Sequence, residues 1–421
     1  MTTENLYKHF LNSEGICTDT RKISKNCMFF ALKGDNFNGN KFAEEALKKG
    51  ALYVVIDEES YKINNRFIFV ENVLETLQDL ATYHRKQLNL PIISLTGSNG
   101  KTTTKELINA VLSKKHKTTA TKGNLNNHIG VPITLLEMSK ETEIGIVEMG
   151  ANHQKEIEML CNIALPDYGL ITNFGKAHLE GFGSVEGVIK GKSELYDHLR
   201  SNSKVVFVNE NDETQRKQVG DYNHVILFGT QTELQETQPY ISLSYKNQKL
   251  QTHLTGTYNY NNVAVAIAIG EYFKIPTQDI IDAIENYVPN NNRSQIVEKS
   301  GNQIILDAYN ANPSSMMAAL KNFDQLINSN KVIILGDMFE LGKDAKIEHQ
   351  QIADFISNID LECKILIGEN FYSTTIKYDT ISYFKSFEDF KNNFGNFKFN
   401  NHMILIKGSR GMALERVLDF L

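Results

Sequence analysis

The stretch LTGSNGKTTT, Leu95 to Thr104, decides how the rest of this 421-residue chain is read. It follows the apolar run IISLT and precedes KTTTKELINAVL, which sets Leu107 and Val111 on one face of a helix. Gly97 and Gly100 suit a tight turn whose N–H groups point inward, with Ser98, Asn99 and Thr103 filling out the turn. The helix N-terminus adds partial positive charge and Lys101 a full one, while the Thr102 hydroxyl suits a magnesium ion bridging phosphates. Strand, glycine turn and helix in that order predict a nucleotide phosphate cradle. The spacing is Gly-x-x-Gly-Lys-Thr, because Leu95 stands where the commoner longer loop has its first glycine.

Outward from the loop, residues 1–89 mix short strand signals (CMFFAL, ALYVVI, RFIFV) with helical LETLQDLATYHRKQ, a small α/β unit. After Pro91, apolar runs IGIVEM, YGLITN, KVVFVN and HVILFG alternate with helical segments, as parallel strands with crossover helices do. VPNNNRSQ at 288–295 reads as a linker. Beyond it QIILDAYN, KVIILGDM, KILIGEN and HMILIKGS each turn polar at the carboxyl end, the ligand-binding edge of an open parallel sheet. Asp307, Asp337 and Lys407 are thereby expected along one crevice, with Glu369 at the same edge read as a turn cap. The fold class is α/β in three domains: a small unit over 1–89, a central parallel-sheet ATPase-like domain over 90–292, and a Rossmann-like parallel-sheet domain over 293–421.

Composition excludes several classes. With 41% hydrophobic and 22% charged residues there is material for buried cores, and a net charge of -6 disfavours nucleic acid as a partner. Cys17, Cys27, Cys161 and Cys363 form no CxxC pair, which disfavours a zinc site or a disulfide framework. MTTENLYKHF lacks the basic start and apolar middle of a signal peptide, and no apolar run reaches membrane-spanning length, so a cytoplasmic protein without a membrane partner is expected. A monomer is expected separately.

TGSNGKTTT resembles the ATP loop of the Mur ligase superfamily, ATP-dependent amide-forming enzymes that include the peptidoglycan stem-peptide ligases and folylpolyglutamate synthase. Further segments extend the resemblance. Glu148, ending IGIVEM, matches a magnesium ligand; the AHLE segment brings His178 onto a ligand of a second magnesium; and Lys192 in GKSE matches a lysine carbamylated in the family. GTYNYNNVAVAIA resembles a helix start whose Asn259 and Asn262 lie on the nucleotide side, with Tyr258 replacing the usual histidine. Arg293 matches an arginine on the ATP phosphates, and Asp307 an acceptor for the ribose hydroxyls. The resemblance therefore implies ATP and two Mg2+ ions, with Lys101, His178 and Lys192 at the chemistry.

The outer domains carry the choice of substrate. ICTDTRKISKNCMFFALKGDNFNGNKF resembles a uridine-diphosphate-binding motif, onto which Thr18, Asp19, Thr20 and Arg21 fall; Asn38 and Asn40 replace its usual acid and histidine. KGNLNNHIGVP (Asn124, Asn126, Asn127), DAYNANPSSM (Asn310, Asn312), ILGDMFELG and IKGSRG (Lys407, Ser409, Arg410) together resemble the branch that joins D-alanyl-D-alanine to UDP-N-acetylmuramoyl-tripeptide, the last cytoplasmic step toward the peptidoglycan pentapeptide precursor, and the resemblance implies substrate contacts at the numbered residues. The resemblance implies a peptide carboxylate activated as an acyl phosphate. Rival readings are a family member with another acceptor (the third-residue-adding ligase, or folylpolyglutamate synthase) and a P-loop kinase or ATPase that forms no amide.

Overall fold

The computed structural model describes residues 1–328 and 330–421. Its first sheet is parallel, in the order Ile16–Cys17, Met28–Phe30, Tyr53–Ile56, Phe67–Phe69. The helix Val73–Leu88 closes this unit and starts the next. Asn72 caps it by accepting from the Leu74 and Glu75 N–H groups, and Asn89, at φ 47°, ends it. Val73, Leu77, Leu80 and Ala81 form its buried stripe, which packs on helices Gly130–Leu136 and Glu156–Ala164 of the central unit. One hydrophobic core runs through both units as a result.

The central sheet has six parallel strands in the order Val225–Phe228, Val205–Asn209, Tyr168–Ile171, Ile92–Thr96, Ile144–Glu148, Thr118–Ala120. The chain adds strands first on one side of Ile92–Thr96 and then on the other. The crevice of such a reversal opens at that strand's carboxyl end, where the glycine turn stands. Helix Asn259–Tyr272, apolar nearly all round, packs against the loop's own helix Lys101–Leu112.

A three-stranded antiparallel sheet, Thr232–Glu236, Ser242–Tyr245 and Gln248–Gln251, departs from the parallel alternation read in the sequence. Its second hairpin turns on Lys246 and Asn247, both at positive φ (49° and 63°), the backbone of a two-residue turn that usually advertises itself by glycine. The expected linker at 288–295 is also shorter than read, because Gln295 opens an edge strand, Gln295–Lys299, antiparallel to Asn302–Asp307. The third sheet runs from that edge through Asn302–Asp307, Met403–Lys407, Lys331–Gly336 and Cys363–Ile367 to Ser382–Phe384, parallel after the first pair. Among the described residues no helix is long and apolar enough to cross a membrane.

A buried ionic clamp fixes the first unit to the second. The Arg85 guanidinium donates to the Ala164 and Leu165 carbonyls at 3.1 Å each and to Asp167 Oδ2 at 2.7 Å. Asp167 also accepts from the Ile92 N–H and from Lys204. Arg85→Met keeps the bulk but strands two carbonyls and weakens the network, and it should cost about 2–4 kcal/mol of stability. Urea denaturation of the variant checks this; an unchanged midpoint would show that the clamp is dispensable.

Candidate active site

The loop's geometry follows from what surrounds it. Gly97 has φ 144° and Gly100 φ 80°; a Cβ at Gly97 would stand 2.0 Å from Thr172 Oγ1, and one at Gly100 2.7 Å from Asn262 Oδ1. Only glycine fits either position. The turn is also tied from outside. Asn173, after strand Tyr168–Ile171, accepts from the Asn99 N–H through its side chain (3.1 Å) and from the Ser98 N–H through its carbonyl, and the Thr172 hydroxyl donates to the Asn99 carbonyl. Sequence reasoning passed over Asn173, although the quoted run YGLITN contains it.

The turn faces a cavity of about 720 Å³ walled by both the central and the C-terminal units. Of the residues singled out in the sequence, Ser98, Asn99, Gly100, Lys101, Thr102, Thr103, Asn124, Asn126, Asn127, Glu148, His178, Asn259, Asn262, Arg293, Asp307, Asn310, Asn312 and Lys407 line it. Gly97 lies behind the turn. Lys101 curls back to donate to the Gly97 carbonyl at 2.7 Å, and burial lowers its pKa, with the Arg293 charge adding to the effect. Arg293 stacks on Tyr309, its Cζ 3.8 Å from the ring centre, and its buried Nε has no partner.

Two buried oxygens here are also unpartnered: Thr102 Oγ1 and Glu148 Oε2. The other Glu148 oxygen accepts from Asn126 Nδ2 at 2.8 Å, so Asn126 orients the carboxylate. Orphaned oxygens of a hydroxyl and a carboxylate are a donor set that suits a hard cation. Among the described residues no three His, Cys, Asp or Glu side chains gather as a ligand cluster, so such an ion's remaining ligands would have to be phosphate or water oxygens.

Lys192 lies just outside the cavity wall, fully buried in helix Val185–Ser201, and donates to the Ala151 carbonyl at 3.0 Å. Burial, and then the Lys101 charge, hold its amine well below the ordinary lysine pKa. His178, at φ 52°, places Nδ1 2.5 Å from Glu340 Oε2 of the C-terminal unit. That contact lowers the Glu340 carboxyl pKa.

Asn259 and Asn262 bond to each other at 2.9 Å, and Asn262 accepts from the Thr104 hydroxyl, bracing the loop's helix. Tyr258 donates to or accepts from Ser294 at 2.9 Å, across the link into the third unit. Asp307 is engaged on both oxygens, by Lys407 at 2.5 Å and by the Ser294 N–H at 3.1 Å. Asn312 caps helix Pro313–Gln325 and reaches Asn99 Oδ1 at 2.8 Å.

Other expected members stand elsewhere. Asp337 does not line the crevice: buried, it accepts from the Asn370 and Phe371 N–H groups and ties two strand ends together. Glu369 pairs with Lys385 at the surface. Ser409 is buried beneath the cavity floor, bonded to the Phe339 N–H and the Ala311 carbonyl, and Arg410 pairs with Glu415. Thr18, Asp19, Thr20 and Arg21 belong to the first unit and do not reach this cavity. There Asp19 caps a short 3-10 turn and chelates Arg21, which lowers its carboxyl pKa to about 2. Asn40 is fully buried and bonded to Asp57 both ways, a structural role.

Family models match the chain in three places: the Mur ligase family catalytic domain over residues 12–85, the Mur ligase middle domain over 95–270, and the Mur ligase glutamate ligase domain over 292–410. With whole-chain relatives at 30% identity or above, these matches place the chain in the Mur ligase family, ATP-dependent enzymes that form C–N bonds. Among the relatives, the UDP-N-acetylmuramoyl-tripeptide–D-alanyl-D-alanine ligase of Bacillus subtilis is 32% identical over 96% of this chain and 92% of its own length. That of Escherichia coli is 30% identical over 96% and 93%. In structure the chain is similar to MurF from Acinetobacter baumannii (TM-score 0.87, 28% identity, 100% and 98% covered). It is likewise similar to MurF ligase from Thermotoga maritima in complex with ADP (TM-score 0.83, 26% identity, 97% of each chain).

The orphaned hydroxyl generates a prediction of sign. Thr102→Val removes a buried donor that has no partner, so the nucleotide-free variant should be as stable as the parent or up to about 1 kcal/mol more stable. Thermal melting of the two proteins checks it; a loss of more than about 1 kcal/mol would mean the hydroxyl holds the fold.

Proposed function

We propose that this chain joins D-alanyl-D-alanine to UDP-N-acetylmuramoyl-tripeptide with hydrolysis of ATP to ADP and phosphate, in the cytoplasm and as a monomer. The observation that carries the reading is a cavity in which Lys101, Arg293 and two orphaned oxygens converge from two domains, within a chain related end to end to ligases of that name. Residues 1–89 would hold the uridine diphosphate through Thr18 to Arg21, residues 90–292 the ATP phosphates, and residues 293–421 the dipeptide.

In the first step an oxygen of the tripeptide carboxylate attacks the γ-phosphorus, the bond to the β-phosphate oxygen breaks, and an acyl phosphate and ADP result. In the second, the neutral amine of the dipeptide attacks the acyl carbon, the C–N bond forms, phosphate leaves, and the amine loses its proton. The first step brings together two anions. Lys101 and Arg293 lower that repulsion, and such transfer depends on positioning and electrostatics rather than on a protein nucleophile. The loop N–H groups and Asn99 orient the phosphates, while closure of the C-terminal unit keeps water from the acyl phosphate. Asn310, Asn312 and Lys407 stand where the incoming dipeptide would be held.

Thr102 and Glu148 would hold Mg2+ on the phosphates, with His178 serving a second ion. Bound there, magnesium supplies charge neutralisation. Burial favours the neutral form of the Lys192 amine, the form able to add carbon dioxide with release of a proton, which would leave a carbamate anion near that site.

Incubating the protein with ATP, magnesium, D-alanyl-D-alanine and UDP-tripeptides bearing diaminopimelate or lysine, and following the pentapeptide by mass, tests the reading. Phosphate release without any amine would favour the ATPase alternative. Lys101→Ala should lower ligation at least ~100-fold, since phosphate charge then stands uncompensated. Lys192→Ala should lose activity and regain part of it with added short carboxylic acids; rescue by neutral amides instead would count against the carbamate.

A further inference from the structure

The contact between His178 and Glu340 joins two domains at one edge of the cavity. Glu340 comes from the loop after strand Lys331–Gly336, and His178 from the segment that follows strand Tyr168–Ile171. Both side chains line the cavity, and Nδ1 and Oε2 stand 2.5 Å apart. The backbones meet as well, the Glu180 N–H donating to the Glu340 carbonyl at 3.1 Å. Neither residue is glycine, yet both hold a left-handed backbone, φ 52° at His178 and 62° at Glu340. Such conformations persist only where the surroundings impose them, and they gather at functional contacts. The same seam carries Lys176, whose ammonium reaches Glu348 at 2.6 Å and whose N–H donates to Ser314 Oγ at 2.8 Å.

A carboxylate packed against one nitrogen of an imidazole restricts how the ring can turn and leaves the other nitrogen to face a ligand. The carboxylate arrives only when the C-terminal unit is docked. We propose that Glu340 is a positioning residue: it orients His178 across the domain seam, so that docking of the C-terminal unit and completion of the cation-binding end of the cavity are one event. This rests on the functional reading above, and it adds a group that binds neither ATP phosphate nor peptide. It makes cation affinity, and not only turnover, depend on a residue of another domain.

Two variants test it. Glu340→Gln keeps size and hydrogen bonding but loses the charge; Glu340→Ala removes the contact. Melting temperatures establish that both fold. With ADP bound to the parent protein, Mn2+ affinity is read by electron paramagnetic resonance, and kcat and KM for ATP by the ligation assay. Glu340→Ala should weaken Mn2+ binding ~10–100-fold and lower kcat by a similar factor, with KM for ATP within about threefold, because the loop's phosphate contacts are untouched. Glu340→Gln should fall between the two. In a His178→Gln background Glu340→Ala should have no further effect on Mn2+. Unchanged Mn2+ affinity in Glu340→Ala, or full additivity with His178→Gln, would overturn the proposal. A parent protein that makes no pentapeptide yet shows the Mn2+ difference would instead indict the functional reading alone.

Discussion

Charges of both signs, gathered from two domains onto one cavity, organise this molecule. Lys101 and Arg293 face one cavity; burial works against the lysine's charge, Glu148 and Glu340 favour it, and Arg293 opposes it. Lys101 meets that cost by donating to its own loop at Gly97, and Arg293 by lying on the Tyr309 ring. Both are partial substitutes for an anion. A polyphosphate would replace them with charge-assisted bonds, which are shorter and stronger than bonds to neutral oxygens. The orphaned oxygens of Thr102 and Glu148 are the complementary half of the arrangement, acceptors where the lysine and arginine are donors. A lone anion would satisfy only the first half, whereas a phosphate carrying a hard cation satisfies both.

The fold makes that concentration of charge tolerable by placing it at a chain reversal. Strand Ile92–Thr96 is buried on all sides, so the turn after it inherits a fixed position, and Thr172 and Asn173, just past the neighbouring strand Tyr168–Ile171, hold the turn's backbone. Behind the turn, helix Asn259–Tyr272 presses on helix Lys101–Leu112, and Asn262 takes the space a side chain at Gly100 would need. The glycine spacing is therefore a packing requirement as much as a ligand requirement. An alanine at either glycine collides with protein before it meets any phosphate.

Most of this was legible in the sequence where a local signal existed. Each apolar run that ends in a polar residue became a parallel strand, because a strand covered on both faces must be apolar throughout. The loop announced itself by glycine, lysine and threonine at fixed intervals. What failed to show was set by tertiary register. Asp337 and Lys407 both follow apolar runs, yet one secures a neighbouring loop and the other opens on the cavity. Ser409 and Arg410 lie within three residues of Lys407, yet Ser409 is spent on the Phe339 N–H and the Ala311 carbonyl, and Arg410 on Glu415 and the Tyr309 ring. The hairpin at Lys246 and Asn247 lacked the glycine that would have marked it, so its antiparallel sheet was passed over. Asn173 opens the NFGKAHLE stretch and Glu340 lies in ILGDMFELG, yet neither segment says what these side chains touch; contacts across 74 residues to Asn99 and across more than one hundred to His178 leave no trace in local spacing.

The seam between the central and C-terminal units explains how a site split across domains can stay both accessible and well ordered. Its polar contacts include Asn312 to Asn99, Lys176 to Glu348 and Ser314, Glu340 to His178 and Glu180, Tyr258 to Ser294, and Gln238 to Gln325 and Ile327. Water can replace each of them when the domains part, so separation costs little, as at other hydrated interfaces within a chain. Yet several end on groups that line the cavity, among them Asn99, Asn312, His178, Ser314 and Glu340. Asn312 spends its oxygen on capping helix Pro313–Gln325 and its amide on the crest of the glycine turn, so that helix and turn are locked in register by one side chain. A seam with a large apolar area would hold the site together but trap its products. A seam with no specific bonds would leave the turn and the far wall uncorrelated. Exchangeable bonds, several of them made to residues of the cavity itself, let the ligand's own charge supply the rest of the closure energy.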